Sequence, residues 1–118
     1  MEEVLNLGSV KVSNEVIATI AGVAATQVNG VVGMSEGIVD GIAKLLTGAQ
    51  QVTKGVKVDL GNEEVNLDVS IIVKYGVSIP EIATKVQENI KKAVESMTGL
   101  KAVKVNLYIQ GVQVEGKS

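Results

Sequence analysis

Between Val65 and Val73 every second residue is aliphatic: Val65, Leu67, Val69, Ile71 and Val73. A period of two held over that length specifies a strand with one face on an apolar core. The run before it, VKVDL, repeats the pattern in Val56, Val58 and Leu60, and GNEE separates the two runs. Together they read as a hairpin. If Leu60 stands opposite Val65, Lys57 falls opposite Asp68 on the outer face, an exposed pair worth well under about 1 kcal/mol. A third alternating run, VKVNLYIQGV, puts Val103, Val105, Leu107 and Ile109 on one side and Lys104, Asn106, Tyr108 and Gln110 on the other. Its apolar side belongs to the same core, and its polar side meets water or a partner.

Helical spacing fills the stretches between these strands. In SIPEIATKVQENIKKAVESMTG, Ser78 and Glu81 form a capping box, and Pro80 occupies the first turn, where its missing N–H costs little. Ile82, Val86, Ile90, Ala93, Val94 and Met97 make the buried stripe, and Glu81–Lys85 and Glu88–Lys92 are i,i+4 pairs in the favourable order. Gly99 closes that helix. An earlier helix starts at Ser13, a capping residue, and carries Ile17, Ile20, Ala21, Ala24 and Val28 on one face. Asn29-Gly30 supplies a left-handed exit for it.

From Val16 to Val28 that helix has no charge. A neighbouring helix or a second subunit is expected to cover it. Val10 and Val12 read as the end of a short first strand, and residues 35–48 as an amphipathic helix weakened by Gly37 and Gly41. Residues 49–55 read as a loop. The resulting order is β-α-(α)-β-β-α-β, an α+β two-layer sandwich with a mainly antiparallel sheet and helices on one face. The 118 residues fit a single domain, 1–118, with 1–7 and 115–118 as flexible ends.

Composition removes several functions. The chain has no His and no Cys, which leaves zinc and thiol chemistry little to build on, and no cofactor or metal is expected. Glu2-Glu3 and Glu63-Glu64 are acidic pairs at a terminus and in a turn, where solvated charge is the ordinary role. All eleven basic residues are Lys and the net charge is −2, which counts against nucleic acid. The run Gly30-Val31-Val32-Gly33-Met34 contains a G-x-x-G, like the clamp of KH domains, but its neighbouring charges are acidic and aromatic residues are scarce. Two Tyr are the only aromatics, against twenty-two Val, so the core is aliphatic. The acidic N-terminus is no secretory signal, and the uncharged stretch 16–35 is too polar for a membrane span. A cytoplasmic protein is expected.

Several blocks in order, SNEVIATIAG, GVVGM, VSIIVKYGVSIPEIATKVQENI and MTGL followed by VNLYIQGV, closely resemble the alkaline shock protein family of Gram-positive bacteria, the Gls-type envelope stress response proteins. The resemblance runs from about Gly8 to Val114, and the compact length is similar to the short housekeeping type. It implies a non-enzymatic cytoplasmic protein of cell-envelope and alkaline stress, without catalytic residues. It also implies self-association, docking on a small integral membrane protein, and a link to a dihydroxyacetone-kinase-like protein associated with fatty-acid phosphorylation.

Both lines of reasoning lead to a protein-interaction module. Its candidate surfaces are the helix exit at Gly30, Val31, Val32, Gly33 and Met34, and the polar sheet face near Lys74, Tyr75, Asn106 and Tyr108. Tyr is a frequent hot spot at interfaces. The alternatives are a KH-like binder of single-stranded nucleic acid and a small acyl- or lipid-binding accessory protein.

Overall fold

The long alternating strand is the axis of the molecule. The computed structural model describes residues 11–34 and 55–114, Val103 by its backbone alone. The elements are α1 (Asn14–Thr26), β1 (Val31–Met34), β2 (Val56–Leu60), β3 (Glu64–Lys74), α2 (Ile79–Thr98) and β4 (Lys101–Gln113). Val65, Leu67, Val69, Ile71 and Val73 of β3 are fully buried, as the period of two requires. β4 runs parallel to β3 from Glu64↔Lys101 to Lys74↔Gln113 and takes the whole of one edge. The opposite edge is shared end to end: β2 pairs with residues 65–69 and β1 with residues 71–73, both antiparallel. Two of the three pairings are therefore antiparallel, and the longest is parallel because α2 carries the chain back to start β4 beside the start of β3.

The hairpin register is the expected one, with Leu60 opposite Val65 and Lys57 opposite Asp68. The expected charge pairing across it is absent. Asp68 Oδ1 instead accepts a hydrogen bond from Asn106 Nδ2 at 2.9 Å. Among the described residues the ion pair made is Lys91 Nζ to Glu95 Oε2 at 3.9 Å, so neither Glu81–Lys85 nor Glu88–Lys92 closes. Exposed side chains of this length gain too little from pairing to hold one rotamer.

Ser13 caps α1 as expected, its hydroxyl accepting from the Val16 N–H at 3.1 Å. The covered arc of α1 is wider than the expected stripe, because Ala18, Gly22 and Ala25 are buried as well. These small residues let α2 and the sheet approach closely, and Asn89 Nδ2 of α2 donates to the Ala24 carbonyl at 2.8 Å. The uncharged helix is thus covered by a neighbouring helix. It ends at Gln27 in right-handed geometry, and the left-handed residue, Gly30 at φ +103°, opens β1 three residues later. Lys11 and Val12 are not in a strand, and Val10 lies outside the described residues, as do the helix and most of the loop expected over 35–55.

In α2, Ile82, Val86, Ile90 and Val94 form the buried stripe and Gly99 supplies the left-handed C-cap at φ +79°. Ser78 sits at the N-cap without a side-chain hydrogen bond, so the expected capping box does not form. Met97, expected in the stripe, is 70% exposed. By helical spacing Met97 still falls within the arc spanned by Ile82, Val86, Ile90 and Val94, so its exposure goes with its place in the last turn of the helix and not with the wrong face. No charged or polar residue is buried among those described, and the core consists of aliphatic side chains from both layers, each large one contributing about 1.5–3 kcal/mol.

Candidate interaction surface

Both helices lie against the face of β3 that carries Val65 to Val73, and among the described residues nothing covers the other face. Residues opposite each other in a ladder share a face, so the register maps that outer surface row by row. Asp59, Asn66 and Lys104 form one row, and Lys57, Asp68 and Asn106 the next. Ser70 and Tyr108 follow, and then Gly33, Ile72 and Gly111. The alternation expected for 104–109 holds, with Lys104, Asn106 and Tyr108 outward. Bulges at Val103 and Gln110 each add one unpaired residue and reset the phase, so Val103 and Gln110 fall outside the expected pattern.

The outer face has two halves. One is polar and electrically balanced, with Lys57 and Lys104 against Asp59 and Asp68 around a shallow depression of about 400 Å³. Within it Asn66 Oδ1 is buried without a hydrogen-bond partner. The other half is apolar. Ile72 stands between two glycines, and its side chain lies 3.5 Å from where a Cβ on Gly111 would sit. Tyr108, 47% exposed, occupies the neighbouring row. Bare backbone on both sides of an outward aliphatic residue makes a flat site that another chain can approach closely.

The expected site residues divide between these places. Val32 and Gly33 bring the helix exit onto the rim of the outer face, so two surfaces expected separately are one. Val31 is half-buried against the core, and Met34 is 2% exposed and belongs to the core, which removes it as a contact residue. Lys74 and Tyr75 are exposed at the end of β3, and the Tyr75 N–H donates to the Gln113 carbonyl at 2.9 Å. Ile72 is the site residue that sequence reasoning missed, because its importance comes from Gly33 and Gly111, which are distant in the chain. The isolated glycine in the VKVNLYIQGV run was the available signal.

The G-x-x-G run is a strand rather than a loop. The Val31 N–H donates to the Val28 carbonyl at 3.1 Å, and the Gly30 carbonyl accepts from the Lys74 N–H at 2.9 Å. The run is thus part of a strand, whereas the clamp of a KH domain is a loop. A larger hollow of about 580 Å³ lies between the end of α1 and α2, lined by Val28 and by polar residues that include Gln27, Asn29, Lys85 and Glu88. It is open and polar, unlike the aliphatic cavity an acyl chain needs. Among the described residues no helix is long and apolar enough to cross a membrane.

Comparison with known proteins gives a consistent picture. The sequence profile of the alkaline shock protein 23 family, described as having a cell envelope-related function, matches residues 2–114. The chain is similar to the uncharacterized protein YqhY of Bacillus subtilis, at 41% identity over 96% of this chain and 83% of that protein. It is 41% identical to the uncharacterized protein YloU of the same organism, over 91% and 90% of the two chains. A stress response regulator gls24 homolog of Streptococcus pyogenes is 26% identical over 92% of this chain, which spans 60% of that longer protein. Among solved structures, a variant of the MamM CTD superposes with a TM-score of 0.52 at 14% identity, over 84% of this chain and 95% of that one, a likeness of fold alone.

Proposed function

Because the chain belongs to the alkaline shock protein family, whose function is related to the cell envelope, we propose that it is a cytoplasmic interaction module of the envelope stress response. In this reading it self-associates and docks on a small membrane-anchored protein. The observation that carries the reading is the outer sheet face, which nothing covers among the described residues and where Ile72 lies between Gly33 and Gly111 and beside Tyr108. An apolar, flat patch bordered by a charge-balanced polar half suits a protein partner, because aromatic and aliphatic anchors supply affinity and the polar rim sets register. Stress-response relatives such as the gls24 homolog support the setting.

The test is recovery of the tagged protein from cross-linked cells with the membrane fraction retained. An integral membrane protein is expected with the wild type and is expected to be lost with Ile72→Lys, which puts a charge at the centre of the patch without touching the helix layer. Recovery of the same protein by both forms would contradict the assignment of the docking site. Absence of any membrane protein from both would contradict the docking itself.

A further inference from the structure

The turn that joins α1 to β1 holds Asn29-Gly30, and of the seven asparagines in the chain Asn29 alone is followed by glycine. A bond from the Gly30 backbone nitrogen to Asn29 Cγ closes a five-membered ring, and Gly30 has no side chain to obstruct it. The chain itself holds the two reacting groups together, so the attack is intramolecular.

The fold separates the asparagines further. Asn14 and Asn89 lie in helices and Asn66 and Asn106 in strands, where the regular backbone keeps the following nitrogen away from the side-chain carbon. Asn62 lies in the turn between β2 and β3, but the bulkier Glu63 follows it. Asn6, outside the described residues, is followed by Leu7. Asn29 is exposed in its turn and borders the hollow lined by Lys85, Glu88 and Lys92. Two cations against one anion favour both the oxyanion that forms as nitrogen adds to the amide carbon and the carboxylate that remains.

We propose that Asn29 is a modification site, deamidated in the folded protein to aspartate and isoaspartate. The Gly30 nitrogen loses its proton and bonds to Asn29 Cγ, the Cγ–Nδ2 bond breaks, and ammonia leaves with that proton. Water opens the resulting succinimide. Attack at Cγ gives aspartate in the ordinary backbone, and attack at the main-chain carbonyl carbon gives isoaspartate, whose main chain is one methylene longer. The two products differ in what they do to the fold. Aspartate adds a negative charge beside Lys85 and Lys92 and leaves β1 in place. Isoaspartate displaces Gly30, which has little room to move: its carbonyl accepts from the Lys74 N–H at 2.9 Å, and a Cβ on it would sit 2.6 Å from Ile82 Cδ1. The pairing of Val31 with Val73 moves with it.

The test is incubation of the folded full-length protein in neutral and in mildly alkaline buffer, followed by peptide mapping by mass spectrometry. Labelling with an isoaspartyl methyltransferase identifies the isoaspartate. Residue 29 should gain the amide-to-acid mass before any other asparagine, faster in alkali, with one more negative charge on ion exchange. Asn29→Gln, which must close a larger ring, should lose that acidic form. In urea the isoaspartate form should unfold at lower denaturant than Asn29→Asp, which should stay close to the wild type. An Asn29 amide that stays intact in the folded protein, whether or not it converts in urea, would overturn the site, as would conversion of Asn62 first. An isoaspartate form that unfolds together with Asn29→Asp would overturn the coupling to β1.

Discussion

Gly30 is held by two independent constraints, and replacing it with alanine separates them. Its φ of +103° lies where side chains are disfavoured, a backbone cost of roughly 1–3 kcal/mol. A Cβ at this position would also sit 2.6 Å from Ile82 Cδ1 and 3.3 Å from Val77 Cγ1. Ile82 is buried between the helix and the sheet, so its displacement adds about 1–3 kcal/mol. Gly30→Ala should therefore cost about 2–6 kcal/mol, a large part of the roughly 5–15 kcal/mol that holds a domain of this size together.

Gly76 provides the control. It has φ +97°, and a Cβ added there would meet nothing within 4 Å, so Gly76→Ala should cost the backbone part alone. Ile82→Val removes the clashing Cδ1 and should cost about 0.5–1.5 kcal/mol in the wild type but less, or nothing, beside Gly30→Ala. Urea unfolding of the wild type, the three single variants and the double variant, compared at equal m-value, reads these terms. Gly30→Ala costing no more than Gly76→Ala, or strict additivity with Ile82→Val, would refute the steric argument.

Other consequences are simpler to state. Ile90→Ala empties a fully buried site between the layers and should destabilise by about 2–5 kcal/mol in the same unfolding assay. Ser13→Ala removes the hydroxyl that accepts from Val16 and should cost about 0.5–2 kcal/mol, whereas Ser78→Ala, at a cap with no side-chain bond, should stay within about 0.5 kcal/mol. Lys91→Ala breaks the exposed pair with Glu95 and should change the denaturation midpoint negligibly, by well under about 1 kcal/mol at any salt concentration.

The elements that can be read in advance are those whose side chains repeat with a long, clean period. The pairing of Leu60 with Val65 follows from two alternating runs and the short turn between them. The stripe of Ile82, Val86, Ile90 and Val94 follows from helical spacing. Val31–Met34 is not recognisable as a strand, because four residues with a glycine and a bulge carry no period. The direction of β4 is equally hidden, since alternation is the same in parallel and antiparallel ladders. Asn29-Gly30 reads wrongly as a helix end for a related reason: a left-handed glycine serves a strand entrance as well as a helix exit, and only the approach of Ile82 distinguishes them. Of the site, Asn106 and Tyr108 are legible from the period, whereas the flanking of Ile72 by Gly33 and Gly111 arises only once the sheet is assembled.

The central claim is that the outer sheet face, not the helix layer, meets the partner. A photo-reactive phenylalanine derivative placed at Tyr108, and in a second strain at Lys85 on the exposed side of α2, tests it in living cells. Cross-links to a membrane protein from position 108 and none from position 85 are the predicted result. Cross-links from position 85 with none from position 108 would contradict the claim.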